Sequence, residues 1–120
     1  MAAMPLVRIV TSSATASGET DALLQELSRL LAKELGKPEG YVMTCLDPPP
    51  ARMTFGGTFD PACYVEVKNV GAFGPDLTNR MSAALTDRLA AALGVPRERI
   101  YIEFADARPH MWGYDGGTFG

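Results

Sequence analysis

Metal ligands and redox pairs are scarce in this chain. It has two cysteines and a single histidine. Cys45, Cys63 and His110 share no metal-ligand spacing, and the cysteines form no CxxC. Both cysteines read as buried thiols in a reducing cytosol, with a disulfide as the less favoured alternative. No run of lysine or arginine occurs. The formal charge of −3 and a pI near 5.0 argue against a nucleic-acid partner. No apolar stretch approaches the roughly 20 residues that a membrane helix needs. The opening MAAMPLVRIV has neither the longer apolar core nor the small-residue cleavage site of a signal peptide. The expected location is therefore the cytoplasm, with any release occurring without a signal peptide.

What the chain does have is an internal repeat. Leu31 to Leu46 reads LAKELGKPEGYVMTCL and Leu89 to Phe104 reads LAAALGVPRERIYIEF. Leu31, Leu35, Gly36, Pro38 and Val42 fall opposite Leu89, Leu93, Gly94, Pro96 and Ile100 at one constant offset. Each copy is a helix end, a glycine stop, a proline-bearing turn and a strand. A strand precedes each helix, so residues 1–120 read as one domain of two successive β-α-β units.

Leu6 to Thr11 is rich in β-branched residues and predicts a first strand. A small, polar loop follows, with Ser17 or Thr20 as the helix cap. Leu23, Leu24, Leu27, Leu30, Leu31 and Leu35 mark one stripe of a helix from Glu19 to Leu35. Val42 to Leu46 predicts a second strand, closed by Pro48-Pro49-Pro50, and Ala62 to Val70 a third. A second helix spans Asp76 to Leu93, burying Leu77, Met81, Ala84, Leu85, Leu89 and Leu93. Ile100 to Phe104 is the fourth strand. Phe55-Gly56-Gly57 lacks the following lysine and helix of a phosphate loop and reads as a turn. The tail from Pro109 predicts a short hairpin laid on a neighbouring surface. The expected fold is α+β, a four-stranded mixed sheet with both helices on one face. Val7, Cys45 and Val65 are assigned to the opposite face, which then needs a cover, most simply another subunit.

Several segments together resemble the macrophage migration inhibitory factor family of the tautomerase superfamily. They are MPLV at Met4 to Val7, GKPEGYVM at Gly36 to Met43, and MTFGGTFDPACYVEVKNVG at Met53 to Gly71. RERIYIEF at Arg97 to Phe104 and the terminal WGYDGGTF continue the match in order. The resemblance implies a homotrimer around a barrel-like core. It also implies a pocket between subunits and keto–enol tautomerase activity without any cofactor or metal.

Carried over residue by residue, the resemblance makes Pro5 the general base once Met4 is gone. A terminal proline is a secondary amine, and an ordinary α-amino group titrates at about 7.7–8.0. Burial and a nearby cation lower that value and leave free base at neutral pH. Lys37 matches the family's lysine, supplying the cation and a clamp for a substrate carboxylate. Asn69 and Val70 match strand-end positions that offer a backbone amide, and Tyr101 enters from the adjacent subunit. Trp112, Tyr114 and Phe119 supply apolar walls for an aromatic ring. Each of these has a bland alternative taken alone: Lys37 as a helix-end charge, Tyr101 as core, Phe119 as a packing anchor.

Three features depart from the family pattern. Met1-Ala2-Ala3 precedes Met4-Pro5, and while Met4 stays attached the Pro5 nitrogen is a non-basic amide. A start site placed too early, added residues and a lost activity all account for this. Glu103 stands where many members have asparagine, and a carboxylate there raises the amine's pKa and repels an anionic substrate. Ala62 and Val65 occupy the positions of the CxxC that some members carry, which argues against dithiol chemistry.

The resemblance thus implies a tautomerase of aromatic α-keto acids such as phenylpyruvate, or of dopachrome-type substrates. The rival class is a catalytically silent, cytokine-like protein that keeps the fold and binds a protein receptor. A blocked Pro5 favours the rival and a free Pro5 the enzyme.

Overall fold

A computed structural model describes residues 5–15 and 17–120, and the Met1–Met4 segment lies outside the described residues. Strand β1 is Leu6–Thr11 and helix α1 is Ser17–Leu35. Strand β2 is Met43–Leu46, β3 is Cys63–Val70, helix α2 is Pro75–Leu93 and β4 is Ile100–Ala107. Two short strands, β5 (Gly113–Tyr114) and β6 (Gly117–Thr118), close the chain as a hairpin. The main sheet has the order β2-β1-β3-β4. β1 runs parallel to β2, β3 runs parallel to β4, and the central β1–β3 pair is antiparallel. These are the two β-α-β units of the repeat, joined along their first strands.

The glycine stops behave as their chemistry requires. Gly36 has φ of 62°, and the Lys37 N–H reaches the Ala32 carbonyl at 3.0 Å while the Gly36 N–H reaches that of Lys33 at 3.3 Å. That pair of bonds satisfies two carbonyls at the end of α1 and needs a left-handed residue at its centre. Gly94 ends α2 with the same left-handed backbone, φ of 66°, but through a single bond from its N–H to the Ala90 carbonyl. Ser13 Oγ adds a bond to the Leu93 carbonyl at 2.6 Å. At the other end of α2, Pro75 occupies the first turn, where its missing N–H costs nothing. The expectation of a cap from the Ser17 side chain falls outside the described residues, and Thr20 lies inside α1 rather than ahead of it. The Thr20 hydroxyl instead shares a 2.6 Å hydrogen bond with that of Thr15.

Leu23, Leu27 and Leu31 of α1 and Met81, Leu85, Leu89 and Leu93 of α2 pack against Val7, Ile9, Cys63, Val65 and Val67. Both helices thus cover one face of the sheet. Leu27, Leu31, Leu85 and Leu89 are fully buried, each stabilising the fold by about 1.5–3 kcal/mol relative to exposure. Arg80–Glu34 at 2.7 Å and Arg88–Glu26 link the outer helix surfaces. With both arginines exposed, each pair contributes about 1 kcal/mol or less.

The assignment of Val7 and Val65 to the uncovered face is overturned. Both are fully buried beneath the helices. Residues of opposite parity make up the open face: Leu6, Arg8 and Val10 on β1, Tyr64, Glu66 and Lys68 on β3, Tyr101 and Glu103 on β4. Cys45, in register with Arg8, does lie on that side, but it is half-buried rather than buried. The open face is therefore mixed and charged, and its apolarity is not the argument for a cover. β4 also runs past Phe104 to Ala107, because its pairing with β3 continues through Lys68, Asn69 and Val70.

Candidate active site

Pro5 is fully buried just ahead of β1. Its carbonyl accepts the Met43 N–H at 2.9 Å, which fixes it against the start of β2. It lies in a cavity of about 270 Å³ lined also by Leu6, Gly40, Tyr41, Val42, Met43, Trp112, Gly113 and Tyr114. The segment after the Gly36 stop makes one short 3-10 turn, Glu39–Tyr41, which delivers the Tyr41 ring. The terminal hairpin delivers the facing wall. Its turn residues Asp115 and Gly116 have φ of 53° and 82°, the left-handed pair that a two-residue hairpin needs. The Tyr114 ring meets Tyr41 edge-on at 6.0 Å and stacks on Phe119 at 5.9 Å. The Phe119 N–H reaches the carbonyls of Pro109 and Trp112, pinning the tail in place.

The other sequence-derived positions fall into two groups. Asn69 and Val70 are buried at the end of β3. Extending the antiparallel register one step beyond Leu6↔Lys68 sets Asn69 opposite Pro5. Asn69 Oδ1 is buried and has no hydrogen-bond partner among the described residues, though Asn69 does not line the cavity. Lys37 is half-buried where α1 ends, and no carboxylate lies within ion-pair distance of it among the described residues. It does not line the cavity.

Tyr101 and Glu103 are not brought to Pro5 within one chain. Glu103 pairs with Glu66 and Tyr101 with Tyr64, whose β1 partners are Arg8 and Val10. Both lie two strands across and several residues along, roughly 14 Å and 19 Å from Pro5 by ordinary strand spacing and rise. Tyr101 is 66% exposed, so the reading of it as core does not hold.

Glu103 belongs instead to a polar cluster on the open face. The Tyr64 hydroxyl stands 3.2 Å from both Glu66 Oε2 and Glu103 Oε1, and its one proton serves one carboxylate at a time. Burial, then the Glu66 hydrogen bond, pushes the Tyr64 phenol up to about 12. Arg8 grips Asp47 through two bonds of 3.0 and 2.7 Å and reaches Glu66 at 3.6 Å. Those bonds hold the Asp47 carboxyl below its usual range. Burial pushes the Cys63 thiol up to about 12, and burial followed by the Asp47 charge raises that of Cys45. Neither cysteine is poised as a nucleophile.

With this geometry in place, comparison with known proteins decides the family. The family model of macrophage migration inhibitory factor (MIF) matches residues 4–120. The chain belongs to the MIF family. A MIF homologue of Brugia malayi is 39% identical over 101 residues, covering 84% of this chain and 87% of that protein. One from Trichuris trichiura is 36% identical over 97% of this chain and its own entire length. The crystal structure of the MIF homologue from Prochlorococcus marinus superposes with a TM-score of 0.90 at 44% identity, covering 96% of this chain and 99% of that one. The MIF match begins at Met4, so Met1-Ala2-Ala3 stands ahead of it.

Tyr41 and Met43 line the cavity beside Pro5 but were not singled out from the sequence. An aromatic three residues beyond Pro38, in the same turn that carries Lys37, was the available signal. A larger cavity of about 510 Å³ lies toward the end of β4, between Lys68, Asp106, Arg108 and His110, and shares Trp112 with the first. Among the described residues no group of three or more potential ligands could hold a metal ion, and no helix is long and apolar enough to cross a membrane.

Proposed function

We propose that this MIF-family chain is a cofactor-independent keto–enol tautomerase of aromatic α-keto acids such as phenylpyruvate, active as a homotrimer once Pro5 is the first residue. The observation that carries the reading is a fully buried proline in a small cavity walled by Tyr41, Trp112 and Tyr114. Such a space suits a flat ring and excludes much of the water around the nitrogen. As a neutral secondary amine, Pro5 removes a proton from the carbon beside the ketone. The C–H electron pair becomes the enol double bond, the carbonyl π pair moves to oxygen, and that oxygen takes up the proton that Pro5 carries, which returns the amine to its neutral form. The reverse steps return the ketone. In this reading the tail aromatics hold the ring, and Lys37 and the Val70 amide, neither of which lines the cavity of a single chain, hold the carboxylate.

What one chain lacks supports an assembly of several subunits. Tyr101 and Glu103 sit at a distance from their own Pro5, so they enter a site only if a neighbouring subunit brings them there. The reading places the enzyme in the cytoplasm, where two unpaired thiols persist.

A second reading, a cytokine-like protein without catalysis, is favoured by one observation: Met4 precedes Pro5 in this sequence, and an amide nitrogen cannot act as a base. Kinetics separate the two. Protein beginning at Pro5 is expected to tautomerise phenylpyruvate, with a loss on the order of 10²–10⁴-fold when the base is blocked by residues 1–4. Equal turnover by both forms removes Pro5 from the mechanism.

A further inference from the structure

Arg99 sits in the turn just ahead of β4, two residues before Tyr101. Its guanidinium binds no carboxylate among the described residues. Instead it spends four hydrogen bonds on four backbone carbonyls of a single loop. Nε donates to Pro61 at 2.9 Å, and Nη1 to Phe55 at 3.1 Å. Nη2 donates to Thr58 at 3.3 Å and Asp60 at 2.9 Å. The loop is otherwise held by the tight Phe55–Thr58 hairpin, whose turn glycines have φ of 60° and 80°. The guanidinium also lies over the Phe55 ring at 5.2 Å, and Phe55 in turn packs on Tyr101 with ring centroids 4.7 Å apart. Phe55 makes the only ring contact of Tyr101 among the described residues.

The geometry points to Arg99 as a positioning residue for the reaction. By saturating the loop carbonyls it fixes Phe55, and Phe55 orients the exposed Tyr101 ring for presentation to the neighbouring subunit's Pro5 cavity. This deepens the tautomerase reading and rests on it, because Tyr101 matters to the chemistry only if it enters that cavity. A planar guanidinium with five donors can hold four diverging carbonyls at once, and an ammonium with three cannot. Arg99→Lys therefore preserves the charge and only part of the clamp. Misplacing a substrate-holding group by about 1 Å is enough to cost up to roughly 100-fold in rate.

The test is a double-mutant cycle in protein beginning at Pro5, with phenylpyruvate as substrate and the trimer checked by light scattering. Arg99→Ala should lower kcat/KM by about the same factor as Tyr101→Ala, and the double variant should lose no more than either alone. Arg99→Lys should recover part of the loss. Phe55→Ala, which leaves the guanidinium and its carbonyls in place, should show the same non-additivity with Tyr101→Ala, and it carries the test if Arg99→Ala fails to assemble. Losses that multiply, or no loss at all, overturn the proposal. The Tyr101 ring resonances distinguish its failure from that of the tautomerase reading. Wild-type protein without activity, whose Tyr101 signals still move in Arg99→Ala or Arg99→Lys, keeps the positioning and discards the reaction. Unmoved signals in these variants discard the positioning.

Discussion

Raising the pH should destabilise this protein through Cys63, because burial holds its thiol in the protonated form. Cys63 is 1% exposed in the layer between the sheet and the helices, and burial moves its thiol from 9.0 to about 12. The native state keeps the proton and the unfolded chain loses it, so stability falls as pH rises above the unfolded value. Between about pH 9 and pH 12 each pH unit removes about 1.4 kcal/mol through this one group. At about pH 11 the loss is about 3 kcal/mol, a large share of the roughly 5–15 kcal/mol that holds a typical domain together. Other groups titrate in the same range, so the informative quantity is a difference. Urea unfolding of the wild type and of Cys63→Ala, at one protein concentration and in steps from about pH 8 to pH 11, supplies it. The alanine variant carries a constant penalty for its lost sulfur contacts. The two stability curves should therefore converge as pH rises, by about 1.4 kcal/mol per unit. Parallel curves would refute the reasoning and mean that the thiol titrates equally in both states.

Further outcomes follow from the same residues. Asp47 has its carboxyl lowered by the Arg8 hydrogen bonds, so its contribution is complete above the ordinary carboxylate pKa of about 3.9 and is lost as pH falls below it. The stability gap between wild type and Arg8→Ala should shrink on acidification, as acid titrations of both would show. In protein with a free Pro5, Glu103→Asn should lower the pKa of the pH–rate profile and raise kcat/KM at neutral pH, while Lys37→Ala should do the reverse. A profile unmoved by either would leave both charges outside the site. Light scattering at micromolar concentration should return three times the mass of the 12.9 kDa chain, and a monomer would leave Tyr101 and Glu103 with no route to Pro5.

Much of this fold is legible in the residues. Leu6 to Thr11 reads as β1 without adjustment, and Gly36 and Gly94 end their helices because left-handed backbone at those points favours glycine. The face of the sheet was the harder matter. β1 is apolar at both parities except for Arg8 on one and Thr11 on the other, so alternation along it alone cannot choose a side. β3 can choose: Glu66 and Lys68 alternate with Val65 and Val67, and the pairing passes that choice to Val7 and Ile9. Of the residues singled out for the site, Pro5, Trp112 and Tyr114 line one cavity, since the tail hairpin closes on the turn after α1. The aromatic after Pro38 is visible in the sequence, but the place of Tyr41 and Met43 beside Pro5 depends on the parallel β1–β2 register, which no local pattern encodes. The separation of Tyr101 and Glu103 from Pro5 likewise emerges only from the strand order.

The most direct test of the account is the titration of the Pro5 nitrogen itself. Protein beginning at Pro5 and carrying ¹⁵N-proline should show a terminal nitrogen titrating below the ordinary α-amino range of about 7.7–8.0, lowered by burial and by Lys37. The same midpoint should appear on the acid limb of kcat/KM for phenylpyruvate. A nitrogen that titrates in or above the ordinary range, or a rate profile with an unrelated midpoint, would contradict the assignment of Pro5 as the base.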